Sequence, residues 1–120
     1  RNRLICVFGC NGDRDQLKRP VMGRIGVEIA DYSIITTGNP RSESADQIFE
    51  GIIQGIPNGN KYQLIPDRKS AIKQALEIAD AGDTVVIAGR GCQKYQEIGD
   101  HRILFDDADV VRSLLDGLFE

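Results

Sequence analysis

Three short polar segments hold side chains that could bind an anionic or zwitterionic ligand. They are residues 9–20, 37–43 and 89–96. Their cationic side chains are Arg14, Lys18, Arg19, Arg41, Arg90 and Lys94. Guanidinium and ammonium groups bind carboxylates and phosphates through charge-assisted hydrogen bonds, and glycines let a ligand approach the backbone closely. Because the chain as a whole is acidic, with a net charge of -3, this local excess of positive charge indicates a binding site.

Each segment follows an apolar run, which suggests how the three come together. The runs at 4–8, 32–37 and 84–88 are short, apolar or β-branched, and typical of strands, and 84–88 is the clearest buried strand of the chain. In a parallel α/β sheet the carboxyl ends of the strands lie at one edge, where ligands bind. We therefore expect the three polar segments to meet at that edge.

A helical pattern follows the first segment. Pro20 suits the first position of a helix, because a residue there needs no backbone N–H donor. Val21, Ile25 and Ile29 then recur at helical spacing. The pattern predicts an amphipathic helix with these three residues on its apolar face.

Capping residues indicate where the other helices begin. Ser44 and Gln47 have the spacing of a capping box and precede an apolar helix face. Asp67 can cap the next helix, and Asp106 or Asp107 the last one. The sequence therefore predicts three further helices.

Strands that alternate with helices predict the fold class. A shorter strand is predicted at 61–65, and 99–100 resembles a hairpin turn before a strand at 102–105. The expected fold is α/β, with a Rossmann-like, mostly parallel sheet flanked by helices and a C-terminal antiparallel strand or hairpin.

Size and charge limit the class of protein. With 120 residues and 13.2 kDa, the chain has room for one domain with a single core. A net charge of -3 and a pI of about 5.2 argue against the basic surface that general nucleic-acid binding needs. No apolar run is long enough to span a bilayer, and no signal peptide is recognised. We expect neither a nucleic-acid nor a membrane partner.

Cysteine and histidine usage points away from disulfide and metal chemistry. Cys6, Cys10 and Cys92 show no paired spacing, which favours a reducing, cytoplasmic setting. Cys92 is more readily a small buried residue than a reactive thiol. A single histidine, His101, is interpreted as a surface residue in a turn, so no metal site is predicted.

The usual motifs for independent nucleotide binding or nucleophilic catalysis are missing from this sequence. It has neither a G-x-x-x-x-G-K-[ST] loop nor a G-x-G-x-x-G turn after the first strand, and no Ser-His-Asp or Cys-His set. No catalytic residue is therefore predicted. The run 13–15 could be a solvated charge cluster and 39–41 a simple turn, but their position after strands favours binding. Pro40 would hold Asn39 and Arg41 in a fixed relation that suits a carboxylate.

The three segments also resemble a known family. Mur ligases typically have F-G-C-G-G-D-R-D-x-x-K-R-P-x-M-G in the first segment, where this chain has Phe8–Asp15 and then Lys18–Gly23. The diaminopimelate-adding branch has D-N-P-R in the second segment, and here it is Gly38–Arg41. The third segment typically has G-K-G-H-E-x-Y-Q, and here it is Gly89–Gln96. The chain resembles the C-terminal domain of these ligases, the UDP-N-acetylmuramoyl-tripeptide synthetases of peptidoglycan synthesis.

The resemblance implies a function for residues 1–120 as the amino-acid-binding domain of a longer ATP-dependent amide-bond ligase. Such an enzyme forms an acyl phosphate on a UDP-muramoyl dipeptide, which an amino acid, here expected to be meso-diaminopimelate, then attacks. The N-terminal and central domains would be partners, and ATP with Mg²⁺ would be held mainly by the central domain. By position, the amino-acid-binding residues are Arg14, Asn39, Arg41, Gly89 and Gln93, and the nucleotide-binding residues are Asp13 and Lys18.

Departures from the family pattern bear on selectivity. Gly38, Cys92 and Gln93 stand where the family has Asp, His and Glu. The Glu is expected to meet the distal ammonium of diaminopimelate, and a neutral Gln loses a charge-assisted bond. Two alternatives stay open: a divergent ligase with another substrate, and a non-catalytic α/β module that binds a small anionic metabolite. The chain starts at Arg1 rather than Met, so we expect it to be part of a longer protein and inactive as a ligase by itself.

Overall fold

In the residues that the structure describes, the fold consists of six strands and four helices. The computed structural model describes residues 3–10, 17–38, 42–59, 61–88, 95–98, 101–104 and 107–118. The strands are β1 (Leu4–Cys10), β2 (Tyr32–Thr37), β3 (Tyr62–Leu64), β4 (Thr84–Ile87), β5 (Tyr95–Ile98) and β6 (His101–Leu104). The helices are α1 (Lys18–Ile29), α2 (Ala45–Ile53), α3 (Arg68–Ile78) and α4 (Asp107–Leu118).

Four parallel strands form the main sheet in the order β3-β2-β1-β4. The chain moves outward from β1 to β2 and β3, and then crosses to the other side of β1 to form β4. The strand order therefore reverses between β1 and β4. In open α/β sheets a ligand crevice lies at such a point, outside the carboxyl ends of the strands.

Two apolar clusters cover the two faces of this sheet. Adjacent residues of a strand point to opposite faces, so Val7 and Phe8 of β1 belong to different clusters. The first cluster joins the sheet to α3 and α4 through Ile5, Val7, Ile34, Ala71, Ile72, Ala75, Val110, Val111 and Leu114. The second joins it to α2 through Phe8, Ile35, Ile48, Phe49 and Ile52. These layers confirm the predicted α/β class with a mostly parallel sheet.

The predicted caps of two helices are confirmed. The Ser44 hydroxyl accepts a hydrogen bond from the backbone N–H of Gln47 at 3.2 Å, and the Gln47 side chain accepts one from the backbone N–H of Ser44 at 3.3 Å. The Asp67 carboxylate accepts one from the backbone N–H of Ser70 at 3.0 Å. These side chains satisfy N–H groups that have no partner within the helix.

The predicted apolar face of α1 is wrong. Val21, Ile25 and Ile29 are 46%, 43% and 66% exposed, whereas the buried residues of α1 are Arg19, Gly23 and Val27. Helical spacing alone therefore did not identify the side that packs.

Glycines explain which side of α1 packs against the rest of the domain. A Cβ at Gly23 would lie 2.2 Å from the carbonyl oxygen of Ile52, and one at Gly26 would lie 2.5 Å from the Phe8 ring. Only residues without a side chain allow α1 to approach α2 and β1 this closely. The glycine face therefore lies inward and the apolar stripe outward.

Three element boundaries differ from those predicted. Helix α1 begins at Lys18 rather than Pro20, since proline is tolerated within the first turn, where N–H groups have no helical partner. Strand β1 continues to Cys10 because Gly9 and Cys10 pair with the last two residues of β2. Strand β3 is shorter than predicted, at Tyr62–Leu64.

The last two strands form the predicted C-terminal hairpin. Strands β5 and β6 are antiparallel, with Ile98 opposite His101, so residues 99–100 connect them. His101 is thus the first residue of a strand rather than part of a turn. The third polar segment was predicted to run to Gln96, but Tyr95 and Gln96 already belong to β5.

Strand β4 is less buried than its apolar sequence predicts. It pairs with β1 at one end of the four-stranded sheet, and Val86 is 41% exposed. The alternating burial of Thr84–Ile87 is typical of a strand with one covered face. In the part of the chain that the structure describes, no helix has the length and apolar content to cross a membrane.

Candidate substrate-binding edge

The carboxyl ends of β1, β2 and β4 lie side by side, as the sequence predicts. Cys10 pairs with Thr37 at the end of β2, and Val7 pairs with Ile87 at the end of β4. The first, second and third polar segments therefore begin at neighbouring points of one sheet edge.

Lys18 is the one predicted site residue inside the described part of the chain. It is the exposed first residue of α1, so its ammonium group is accessible at this edge and suits a phosphate oxygen. The other predicted site residues lie outside the described residues. They are Asp13, Arg14, Asn39, Arg41, Gly89 and Gln93.

Arg19 was predicted among the ligand-facing cations, and this is wrong. Its Nη1 and Nη2 donate to the two carboxylate oxygens of Glu43 at 3.0 and 2.7 Å, and Arg19 is only 3% exposed. The aliphatic part of the side chain lies against Gly51, where an added Cβ would be 2.8 Å from its Cδ. The charge of Arg19 is therefore neutralised inside the protein, where it joins the start of α1 to the residue preceding Ser44.

Sequence reasoning missed Arg68, the largest fully buried side chain of the described residues. Its Nε and Nη2 donate to the two carboxylate oxygens of Asp107, both at 2.8 Å. Its Nη1 donates to the carbonyl of Thr37 at 2.9 Å, and its Nη2 to the carbonyl of Ala88 at 3.2 Å. One guanidinium thus joins the ends of β2 and β4 to the first residue of α4.

The end of β2 has a second set of contacts. The hydroxyls of Thr36 and Thr37 both donate to the carbonyl of Pro66, at 3.3 and 3.2 Å. On the other side of β2, a Cβ at Gly9 would lie 1.9 Å from the carbonyl oxygen of Thr36. Glycine at position 9 therefore allows β1 and β2 to stay close at this edge.

Arg68 carried only a weak signal in the sequence. It directly follows the predicted cap Asp67, and an arginine in the first turn of a helix is placed against the helix dipole. That unfavourable position indicates a compensating partner. The partner, Asp107, was predicted as a possible helix cap, and 39 positions separate the two residues.

A surface groove of about 450 Å³ lies beside this edge, between the start of α1 and α2. It is lined by Leu17, Arg19, Pro20, Glu43, Gln47, Glu50, Gly51 and Gln54. Its carboxylates and the neutralised Arg19 do not suit an anion. The groove is therefore distinct from the predicted crevice at the ends of β1 and β4.

Two further candidates for chemistry lie in the described ranges. Burial raises the pKa of the Cys6 thiol, which disfavours the reactive thiolate. Within those ranges, no group of three His, Cys, Asp or Glu side chains could hold a metal ion.

The comparison with protein families decides the assignment. The profile of the family described as "Mur ligase, glutamate ligase domain" matches residues 1–91. The chain belongs to the Mur ligase family. The resemblance seen in the three polar segments is thereby confirmed.

Relatives of this Mur ligase domain match it almost from end to end. The UDP-N-acetylmuramoyl-L-alanyl-D-glutamate--2,6-diaminopimelate ligase 1 of Clostridium acetobutylicum is 46% identical over 119 residues, 99% of this chain and 24% of the relative. The corresponding ligase of Gloeobacter violaceus is 51% identical over 115 residues, 96% of this chain and 24% of the relative. The chain thus spans about a quarter of the length of these relatives.

A solved structure supports the same relation. It is titled as a UDP-N-acetylmuramoyl-L-alanyl-D-glutamate--2,6-diaminopimelate ligase, and it matches this domain with a TM-score of 0.95 and 47% sequence identity. The match covers 100% of this chain and 25% of that chain. The arrangement of strands and helices described above is therefore that of a Mur ligase domain.

Proposed function

We propose that residues 1–120 are the C-terminal, amino-acid-binding domain of a longer ATP-dependent ligase. The enzyme would add meso-diaminopimelate to a UDP-N-acetylmuramoyl dipeptide during peptidoglycan synthesis, in the cytoplasm. What carries the proposal is that relatives 46% and 51% identical over nearly the whole chain are named as diaminopimelate ligases. The motifs of the three polar segments support it independently.

The proposal gives each predicted residue a role at the carboxyl edge. Arg14, Asn39 and Arg41 hold the carboxylates of the amino acid, and Gly89 contributes backbone. Gln93 faces its distal ammonium. Guanidinium and amide groups fit carboxylates because they donate paired, charge-assisted hydrogen bonds. Because these contacts fix the carboxylates of the amino acid, they also orient its attacking amine toward the acyl phosphate.

This domain is proposed to contribute only a few contacts to the nucleotide. ATP and Mg²⁺ would be held mainly by the central domain of the parent ligase, and ATP supplies the phosphoryl group of the acyl phosphate. Lys18, exposed at the start of α1, fits a contact with a phosphate oxygen. Asp13 is proposed to lie on the same nucleotide side.

An assay of the full-length ligase tests the proposal. The wild-type enzyme should release phosphate from ATP and form an amide when given the UDP-muramoyl dipeptide and diaminopimelate. Arg41→Ala should raise the KM for diaminopimelate by an amount equivalent to about 2–3 kcal/mol, because one bidentate charged contact is lost, and should leave the KM for ATP nearly unchanged.

Three results would contradict parts of the proposal. Activity with another amino acid only would indicate the divergent ligase, which the replacement of Glu by Gln93 favours. A parent inactive with every dipeptide and amino acid tried would favour the non-catalytic binding module. An unchanged KM for the amino acid in Arg41→Ala would remove Arg41 from the site.

A further inference from the structure

The Arg68 guanidinium contacts the backbone at the two points where proposed substrate segments begin. Thr37 is the last residue of β2 and comes two positions before Asn39. Ala88 directly follows β4 and precedes Gly89. The carbonyls of both residues accept hydrogen bonds from Arg68, at 2.9 and 3.2 Å. Arg68 therefore acts on both segments while being only 1% exposed itself.

We propose that Arg68 is a positioning residue for the amino-acid substrate. By donating hydrogen bonds to the Thr37 and Ala88 carbonyls while it is paired with the Asp107 carboxylate, it sets the direction in which the chain leaves β2 and β4. The segments that carry the proposed substrate residues Asn39, Arg41 and Gly89 begin at these two points of the chain. The proposal rests on the proposed function and deepens it, because Arg68 itself does not contact substrate.

Geometry explains why an arginine is used. Strands β2 and β4 flank β1, so their ends lie roughly 9–10 Å apart at the ordinary strand spacing. A guanidinium presents five N–H donors in a rigid planar fork, which can reach two strand ends and a carboxylate together. A lysine ammonium is a single point with three donors and cannot reproduce the four bonds of Arg68.

Stability is a weaker explanation for this ion pair. Buried ion pairs lose much of their attraction to desolvation, and well-packed apolar residues often replace them without loss of stability. Asp107 holds both Nε and Nη2, which fixes the plane of the guanidinium. A fixed plane sets the two carbonyl positions, and this is what a positioning residue must do.

The contacts of Arg68 predict a selective effect. Its hydrogen bonds go to residues at the ends of β2 and β4 and to α4, whereas the proposed nucleotide residues, Asp13 and Lys18, follow β1. Loss of the fork should therefore disturb binding of the amino acid and leave binding of ATP unchanged.

The kinetic test uses the full-length ligase with Arg68→Lys and, as a matched control, Arg3→Lys. Arg3 also binds a carboxylate and a backbone carbonyl, but at the opposite edge of the sheet. Arg68→Lys should raise the KM for diaminopimelate about tenfold or more and change the KM for ATP less than about twofold. Arg3→Lys should change neither KM. A merely structural role of Arg68 would lower kcat through the folded fraction and leave both KM values unchanged.

A double-mutant cycle with Arg41→Ala sharpens the result. If Arg68 acts through the segment that carries Arg41, its substitution should raise the KM for diaminopimelate less in the Arg41→Ala background than in the wild type. Full additivity of the two effects would overturn the proposed route through Arg41.

Hydrogen exchange supplies a readout that does not depend on activity. In Arg68→Lys, peptides covering 38–43 and 89–94 should exchange faster than in the wild type, and in Arg3→Lys they should not. A wild-type ligase that uses no amino acid would refute the proposed function while this measurement still tests Arg68. Unchanged exchange in both segments, with or without an active enzyme, would overturn the positioning role.

Discussion

Arginines join strands at both edges of the main sheet, but the two guanidinium groups differ in their access to solvent. At the amino edge, Nε and Nη2 of Arg3 donate to the Asp83 carboxylate at 3.1 and 2.9 Å, and Nη2 also donates to the Ile78 carbonyl at 2.8 Å. The Arg3 side chain is 28% exposed, and that of Arg68 at the carboxyl edge is 0% exposed.

The two edges also differ in what their contacts join and in how far water could replace those contacts. The amino-edge contacts hold the starts of β1 and β4 together, where the backbone N–H of Thr84 also donates to the Arg3 carbonyl at 2.9 Å. Water can reach the partly exposed Arg3 guanidinium, although its partner Asp83 is 0% exposed. At the carboxyl edge the proposed substrate segments begin, and no water reaches the buried Arg68 guanidinium to replace its hydrogen bonds. The comparison indicates that water reaches the guanidinium at the amino edge but not the one at the carboxyl edge.

The largest expected effect comes from removing one guanidinium at each edge. Arg68→Met should lower the free energy of unfolding by about 3–5 kcal/mol, because the buried Asp107 carboxylate loses both hydrogen bonds and the positive charge of Arg68. Arg3→Met should lower it by less, since the Asp83 carboxylate keeps its hydrogen bonds from the backbone N–H groups of Arg3 and Asp80. Urea unfolding of the 120-residue chain measures both.

A double variant tests whether the buried Asp107 charge causes the loss of stability in Arg68→Met. In Arg68→Met combined with Asp107→Leu, the buried negative charge is gone as well, so much of the lost stability should return. Equal losses in Arg68→Met and Arg3→Met would contradict the difference between the edges.

A smaller effect is expected on selectivity at the carboxyl edge. Gln93→Glu should improve the preference of the full-length ligase for diaminopimelate over lysine by roughly tenfold, or about 1.4 kcal/mol, because a carboxylate pairs with the distal ammonium. Values of kcat/KM for the two amino acids measure it. Arg3→Met serves as the amino-edge control and should leave the preference unchanged. A strong wild-type preference for diaminopimelate that the mutation does not improve would contradict this prediction. It would show that a neutral Gln93 is enough to select the distal ammonium.

The smallest effect is a pH dependence at the amino edge. The backbone N–H groups of Asp80 and Arg3, together with the Arg3 guanidinium, hold the pKa of Asp83 well below its usual value. A lowered pKa in the folded chain stabilises it above the carboxyl's ordinary pKa, near 3.9, and this contribution falls as the pH drops through that value toward the lower folded pKa.

Urea unfolding at several pH values tests this. Asp83→Asn should be less stable than the wild type at pH 7, and the gap should narrow as the pH falls below about 4. Asp80→Asn keeps the backbone N–H that binds Asp83, so it should retain the wild-type pH dependence. A gap of constant size at all pH values would show that the Asp83 charge contributes nothing.

Local patterns in the sequence predicted most of the elements. Strand β2, the capping box of Ser44 and Gln47, and the cap at Asp67 were all placed correctly, because each depends on residues a few positions apart. The antiparallel pairing of β5 with β6 was predicted from a local pattern of the same kind. The motifs of the three polar segments also carried the family assignment, since they are contiguous in the chain.

Where the sequence was wrong, the deciding contacts came from distant parts of the chain. Apolar spacing predicted that Val21, Ile25 and Ile29 face the core, but the close approach of Gly23 and Gly26 to α2 and β1 turned α1 the other way. Arg19 was counted as a ligand-facing cation because its partner, Glu43, is 24 positions away.

The sequence by itself determined the α/β class, the segments that follow the strands, and the residue types that suit a carboxylate or phosphate. It could do so because strand and helix periodicity and turn chemistry are local properties. Only the tertiary structure decided which cations are buried and which strand ends one guanidinium joins. Arg68 meets Thr37, Ala88 and Asp107 only once the sheet has assembled, because burial and hydrogen-bond geometry depend on residues far apart in the chain.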